Sequence, residues 1–167
     1  MKQKGINRRQ FLKYSAAMGT SLAFSDLLSS CTWSELEGVR IVDPHAHPDQ
    51  FYLDNPTIID RTSTLESITE LGMVASSFAA VGDIGSNFYL YTKYQLSKAQ
   101  ALVDEGKVNL VLKTSDIPYS IECGGVPGAI LSIEGGDPLE GNADRVDEFY
   151  GLGVRIITLV HNRDNEL

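Results

Sequence analysis

Runs of apolar residues recur along the chain and predict buried β-strands. The run at 73–81 is apolar at nearly every position, which is typical of a parallel strand covered on both faces. The other runs are shorter, and turn residues such as glycine, proline or aspartate separate them from the next segment. The predicted strands cover residues 39–42, 73–81, 108–112, 129–134 and 154–160.

Several segments between the predicted strands have apolar residues at helical spacing. One helix is expected to begin at Ser63, which has the spacing of a capping box with Glu66. A second is predicted over 88–105, and a third over 142–151 with Asn142 as its N-cap. The residues that the third helix is expected to turn towards the core are Val146, Phe149 and Tyr150.

Strands that alternate with helices predict an α/β fold built from parallel βαβ units. A closed (β/α)8 barrel of the TIM type needs about 250 residues. Residues 39–167 supply only four or five strands. We therefore expect residues 39–167 to form the N-terminal part of such a barrel, incomplete in this chain, which would be a truncated product or a fragment.

The first thirty residues have the pattern of an export signal. An arginine pair at 8–9 precedes Phe-Leu-Lys at 11–13 and a mildly apolar stretch at 14–28. This order predicts a twin-arginine signal peptide over residues 1–30, which the twin-arginine export machinery would recognise. The alternative is a surface amphipathic helix with a chance arginine pair. The stretch is shorter than the ~20 apolar residues that a membrane-spanning helix needs.

Cys31 leaves the final location open between two alternatives. The sequence 28–31, Leu-Ser-Ser-Cys, has the form of a bacterial lipoprotein cleavage site, and a lipidated Cys31 would anchor the protein to a membrane. Ordinary cleavage nearby would instead release it into the periplasm. Residues 31–38 are interpreted as a short lead-in to the barrel.

The net charge argues against nucleic acid as a partner. The leader holds five of the chain's 14 basic residues and one of its 22 acidic residues, so the remainder carries 9 against 21, a net charge of −12. A body this acidic repels phosphate backbones. The same charge is compatible with the binding of cations.

The histidines stand just after the predicted strands. In a parallel barrel, the carboxyl ends of the strands meet on one face, where reactive groups collect. All three histidines of the chain, together with several carboxylates, stand at such ends. The residues at the strand ends are Asp43, His45, His47, Asp83, Glu134 and His161.

The His-x-His pair at His45 and His47 predicts a metal site. Alternate residues of an extended segment point the same way, so both imidazoles can reach one cation. The flanking prolines, Pro44 and Pro48, indicate a loop at the end of a strand. A carboxylate from another strand, Glu134, could be shared by two metal ions about 3.5–4 Å apart. Taken singly, Glu134 could instead form an ordinary salt bridge.

Several motifs together resemble the renal (membrane) dipeptidase family of amidohydrolase-type enzymes. Residues 42–47, Val-Asp-Pro-His-Ala-His, are similar to the opening Asp-x-His-x-Asp metal motif of that family. Residues 133–136, Ile-Glu-Gly-Gly, resemble its Val-Glu-Gly-Gly motif, and residues 151–162 resemble its Leu-Gly-x-Arg-x-x-x-Leu-Thr-His stretch. The glycine-containing segment 82–88 lies where the family has one. The order of the motifs agrees across about 39–167.

The resemblance implies a zinc-dependent dipeptidase, with His45, His47 and Glu134 as ligands of one or two ions and His161 in contact with a dipeptide or similar small amide. His47 departs from the family, which has aspartate there, so the substrate stays open. The family's catalytic aspartate would lie beyond Leu167, so no catalytic residue is assigned here and this chain alone is expected to be inert. The alternatives are another amidohydrolase, lactonase-like or deaminase-like, and an exported, non-catalytic binding lipoprotein.

Overall fold

The computed structural model describes residues 39–48, 64–119, 121 and 125–167. The predicted signal peptide, the cleavage site at Cys31, the lead-in and the first residue of the Ser63 helix all lie outside these residues. They stay predictions. None of the helices in the described ranges is long and apolar enough to cross a membrane.

Five parallel strands form one sheet. Strand β1 pairs with β2, and β2 pairs with β4 along its whole length. Both β3 and β5 pair with β4, β3 at its start and β5 towards its end. The strands are β1 Val42–Ala46, β2 Ala75–Val81, β3 Asn109–Leu110, β4 Gly128–Glu134 and β5 Val154–Ile157.

Three α-helices connect these strands, as the alternating pattern predicts. They are α1 Thr64–Glu70, α2 Phe88–Asp104 and α3 Asp144–Gly151. Two short 3-10 turns, Thr114–Asp116 and Asp137–Leu139, complete the described elements. The order of elements and the parallel pairing confirm the predicted α/β class.

Strands β2 and β4 form the centre of the sheet. They run in register from Ala75 opposite Gly128 to Val81 opposite Glu134, and every residue of β2 is buried. Phe78 of β2 is fully buried and packs in a cluster with residues of β4 and the helices. The large buried apolar side chains of this cluster are Ile68, Phe78, Leu96, Leu131, Ile133, Leu139 and Phe149. Their removal from water is the main term that stabilises such a sheet.

The carboxyl ends of β2 and β4 are held close together. The N–H of Gly82 donates to the carbonyl of Glu134 at 2.8 Å. A Cβ atom at Gly82 would lie 2.5 Å from the carbonyl oxygen of Gly135, so only glycine fits this approach. From α2, the buried amide of Gln95 bonds to both the N–H and the C=O of Val81, each at 2.8 Å. The strand ends that carry the candidate site are thereby fixed.

The position of the first strand was predicted wrongly. The strand covers Val42–Ala46 rather than 39–42, so His45 lies inside β1 instead of on a loop after it. Pro44 does not prevent this, because among the described strands β1 pairs only with β2 and its other edge needs no N–H donor. The register shifts between Asp43 and Ala46, as a β-bulge does.

The third helix also differs from the prediction. It begins at Asp144, although the side chain of Asn142 does accept the N–H of Asp144 at 3.0 Å, as a capping residue would. Phe149 is buried as expected, but Val146 is 42% exposed and Tyr150 is 61% exposed. Tyr150 lies about 100° around the helix from Phe149. It packs instead under the guanidinium of Arg155 on β5, 4.0 Å from the ring centre.

Candidate metal centre

Three side chains converge at the carboxyl ends of β1 and β4. The Nε2 atoms of His45 and His47 are 3.2 Å apart. Nε2 of His45 lies 3.5 Å from Oε1 of Glu134, and Nε2 of His47 lies 3.5 Å from Oε2 of the same carboxylate. The two rings meet edge to face, at an interplanar angle of 88°. The structure thus brings together the three residues that the sequence predicts as metal ligands.

The spacing of these atoms fits a divalent cation. Zinc bonds of about 2.0–2.2 Å in tetrahedral geometry place neighbouring donor atoms about 3.3–3.6 Å apart. The observed separations between His45, His47 and Glu134 fall at or near this range, and ligand atoms of all three lie within 4.8 Å of one another. Two imidazole nitrogens and a carboxylate are also the donor types that zinc takes in catalytic sites.

The strand next to β1 orients His47. Nδ1 of His47 lies 2.9 Å from the carbonyl oxygen of Ala79 on β2. A carbonyl oxygen can only accept a hydrogen bond, so the proton of a neutral His47 ring belongs on Nδ1. The lone pair of Nε2 then faces His45 and Glu134. This is the orienting contact that histidine ligands of metals usually have.

Asp43 ties the strand that carries both histidines to the centre of the sheet. Its Oδ1 accepts the backbone N–H of His45 at 3.1 Å, and its Oδ2 accepts the hydroxyl of Ser76 on β2 at 3.2 Å. Asp43 therefore has a structural contact that the sequence alone did not indicate. Its place in the opening motif is explained without a bond to the cation.

His161 reaches the same place from the loop after β5. Its Nε2 lies 3.5 Å from Oε1 of Glu134, and its Nδ1 lies 3.1 Å from Oδ1 of Asp83. Burial by itself would raise the pKa of Asp83, but the hydrogen bond and the charge of His161, with backbone N–H donors, hold it below its usual value. Asp83 is therefore an anionic acceptor at neutral pH.

Arg163 joins the loops around His161, and no sequence motif pointed to it. Its guanidinium donates to the backbone carbonyl of Asp83 and pairs with Asp137, with 3.2 Å between Nε and Oδ1. The same group lies over the ring of Phe88, 4.3 Å from its centre. The side chain of Asp137 is 3% exposed, so this pair neutralises a buried carboxylate.

Two solved structures share the fold of this chain. An amidohydrolase from Pseudomonas aeruginosa matches with a TM-score of 0.57 at 19% identity, over 79% of this chain and 37% of that one. Dipeptidase AC, a metallopeptidase of family M19, matches with a TM-score of 0.62 at 16% identity, over 77% of this chain and 44% of that one. The present chain thus spans less than half the length of either protein. At these identities the likeness establishes the fold.

The family is established by sequence. No curated protein matches the chain. A family model, Membrane dipeptidase (Peptidase family M19), matches residues 58–167, which is most of the chain and includes Glu134 and His161. This agrees with the resemblance of the motifs and with the shared fold. The chain belongs to the membrane dipeptidase family, peptidase family M19.

Proposed function

We propose that this chain contributes the first metal-binding half of a zinc-dependent hydrolase that cleaves dipeptides or similar small amides. One observation carries the proposal: His45, His47 and Glu134 bring their ligand atoms together at the carboxyl ends of two strands, in a chain of the membrane dipeptidase family. Reactive groups of α/β barrels are built at that face.

The residues divide into those that would hold the cation and one that would meet the substrate. His45, His47 and Glu134 would hold one or two divalent ions. When bound, the metal would polarise the scissile carbonyl and lower the pKa of a water molecule. Nε2 of His161 lies 3.5 Å from Oε1 of Glu134, so a substrate held next to the Glu134 carboxylate would lie beside the His161 ring.

A second candidate is another amidohydrolase activity, such as lactone hydrolysis or deamination. The observation that favours it is His47, which stands where the resemblance to the dipeptidases would place aspartate. Two imidazoles and one carboxylate form a less anionic ligand set than one imidazole and two carboxylates. The preferred substrate could therefore differ from that of the family.

Zinc binding tests the ligand assignment directly. We expect the metal-free chain to bind zinc by titration calorimetry, and His45→Ala with His47→Ala to weaken binding by more than the roughly 10–100-fold that loss of a supporting contact costs. Glu134→Gln should do the same, whereas the matched change Glu140→Gln, on an exposed carboxylate paired with Arg145, should not. Unchanged zinc content in the double variant would contradict the proposal.

Activity is tested in the longest natural chain that contains residues 39–167. We expect hydrolysis of a dipeptide panel that stops on chelation and returns with zinc. Lactones and an aminopurine, assayed in parallel, separate the second candidate from the first. Zinc binding without turnover of any substrate would favour the non-catalytic binding protein instead.

Export is proposed to take the twin-arginine route, with delivery to the periplasm or to a membrane through Cys31. Fractionation of cells that express the chain with Arg8→Lys and Arg9→Lys should leave the protein inside the cytoplasm. Labelling with a fatty-acid analogue should mark the unaltered chain and spare Cys31→Ala if the cysteine is lipidated. If neither the unaltered chain nor Cys31→Ala takes up the label, Cys31 is not lipidated and ordinary cleavage is the remaining alternative.

A further inference from the structure

We propose that Asp83 is a positioning residue for His161: its carboxylate fixes the ring proton on Nδ1 and so leaves Nε2, which lies on the side of the candidate metal centre, without a proton. The role of His161 in substrate contact rests on the proposed function. The choice of ring proton does not, because it depends on the contacts of Asp83 alone.

The geometry separates the two nitrogens of His161. Nδ1 lies 3.1 Å from Oδ1 of Asp83, and Nε2 lies 3.5 Å from Oε1 of Glu134. Despite burial, the contacts with His161 and backbone N–H groups hold the pKa of Asp83 below its usual value, so its carboxylate is ionised at neutral pH and can only accept. Nδ1, at 3.1 Å, is within hydrogen-bond distance and donates to Asp83, whereas the 3.5 Å between Nε2 and Glu134 is longer than a normal N–H···O hydrogen bond. In a neutral ring, Nε2 is left as an acceptor.

A second group touches the ring without selecting either nitrogen. The side-chain nitrogen of Asn162 lies 3.0 Å from Nδ1 and 3.1 Å from Nε2 of His161. Because Asn162 is equally close to both atoms, it does not decide which one carries the proton. Asp83 makes its hydrogen bond with Nδ1 only. The selection therefore comes from the carboxylate.

Asp83 is itself held in place, as a positioning residue must be. Its side chain is 6% exposed, against 25% for His161. Backbone N–H groups of Asp83 and Asn162 donate to its carboxylate, and Arg163 donates to its backbone carbonyl. The carboxylate thus has few ways to turn away from the ring. Residue 83 lies after β2 and residue 161 after β5, so the contact also joins two separate segments of the site.

Nitrogen-15 NMR on labelled histidine tests the proposal in the unaltered chain. The chain has three histidines, so three ring patterns are expected, and His161→Gln identifies the third by its loss. At pH 8.5 we expect His161 to carry its proton on Nδ1, where the hydrogen bond with Asp83 lies. A proton on Nε2 in the unaltered protein would overturn the proposal, and this measurement needs no folded variant of Asp83.

Asp83→Asn is the decisive variant. The backbone N–H groups of residues 83 and 162 donate to this side chain, so the introduced amide keeps its oxygen towards them and offers its N–H to Nδ1. We therefore expect the proton of His161 to move to Nε2 while His47 keeps its pattern. Zinc affinity should be unchanged, since Asp83 is not among the three converging ligands. In an active parent chain, kcat/KM should fall by about 10–100-fold, as for the loss of other orienting contacts.

The controls separate positioning from a general structural role. Asp147→Asn, on an exposed residue of α3, should leave the ring pattern, zinc binding and turnover unaltered. A structural role for Asp83 would predict loss of zinc affinity together with turnover, and an unchanged ring pattern in Asp83→Asn would refute positioning. If zinc fails to bind the unaltered chain while His161 carries its proton on Nδ1, the proposed function fails and the inference about Asp83 stands.

Discussion

The centre of the sheet and its rim are held together by different kinds of interaction. The centre is the pair β2–β4, in register over seven residues and packed through apolar side chains such as Phe78 and Leu131. The rim is the set of polar side chains at the strand ends, which meet through single hydrogen bonds and ion pairs. The rim comprises His45, His47, Asp83, Glu134, His161 and Arg163.

This difference implies that the centre determines stability, whereas the rim determines metal binding. Burial of apolar area at the centre contributes most of the free energy of unfolding. Exposed or half-exposed ion pairs contribute little to it. Changes at the centre should therefore lower stability first, whereas changes of the rim histidines should alter metal binding and leave stability nearly unchanged.

Phe78→Ala is expected to have the largest effect. Phe78 is fully buried in the core cluster, and truncation of such a side chain costs about 3–5 kcal/mol. Urea denaturation monitored by circular dichroism measures the loss. The matched control is Leu90→Ala on α2, which is 59% exposed and should change stability by no more than about 0.5 kcal/mol. If Phe78→Ala lowered the free energy of unfolding by less than about 1 kcal/mol, the β2–β4 pair would not be the main source of stability.

Gly82→Ala is expected to affect both regions, because Gly82 lies where they join. The new methyl group would stand 2.5 Å from the carbonyl oxygen of Gly135 and 2.9 Å from Cδ of Pro138. Overpacking of this kind costs about 1–3 kcal/mol. The strand ends must separate, so zinc affinity, measured by titration calorimetry, should also fall as Glu134 moves.

The control for this change is Gly151→Ala, which meets no atom within 4 Å. It should leave zinc titration unaltered and should not lower stability. If Gly82→Ala lowered stability with full zinc affinity, the rim would be less dependent on the strand ends than the structure implies.

The smallest effect concerns Glu148, which lies on α3 outside the rim. Hydrogen bonds from Lys93 and then from Tyr89 hold the pKa of Glu148 below its usual value. A lowered folded pKa gives a stabilisation that is present above the unfolded value of about 4.3 and is lost as pH falls through the folded value.

Glu148→Gln should therefore reduce stability slightly at pH 7, and the difference from the unaltered chain should shrink as pH falls below about 4. Urea midpoints at pH 7 and pH 3 measure it. Both side chains are more than one third exposed, at 37% for Lys93 and 39% for Glu148, so the effect is small. Zinc binding at pH 7 should not change, and a large change there would contradict the separation of the two regions.

The sequence predicts the centre better than its margins. Strands β2 and β4 are apolar on both faces, which is a strong signal, and their observed bounds agree with the prediction within two residues. Strand β5 ends at Ile157 rather than at 160, although the apolar pattern continues. The reason is tertiary: Thr158 and Leu159 turn to bond with Gly135 and Gly136, which no local pattern encodes.

The sequence was sufficient to identify the residues of the candidate site but not the contacts that orient them. The spacing of His45 and His47 and the position of Glu134 after an apolar run suffice to suggest a shared cation. The carbonyl that orients His47 and the carboxylate that orients His161 depend on which strands are neighbours and in which register. Arg163 acts through a backbone carbonyl and a buried aspartate, so its type alone carries no signal.

The partly open His45–His47 pair also affects how the protein must be handled. The two side chains are 48% and 28% exposed, and their Nε2 atoms lie 3.2 Å apart on one short segment. Such a pair is a built-in chelating handle, so the untagged chain should be retained on immobilised nickel resin and released by imidazole. A polyhistidine tag would add competing ligands, and metal stoichiometry should therefore be measured only after its removal.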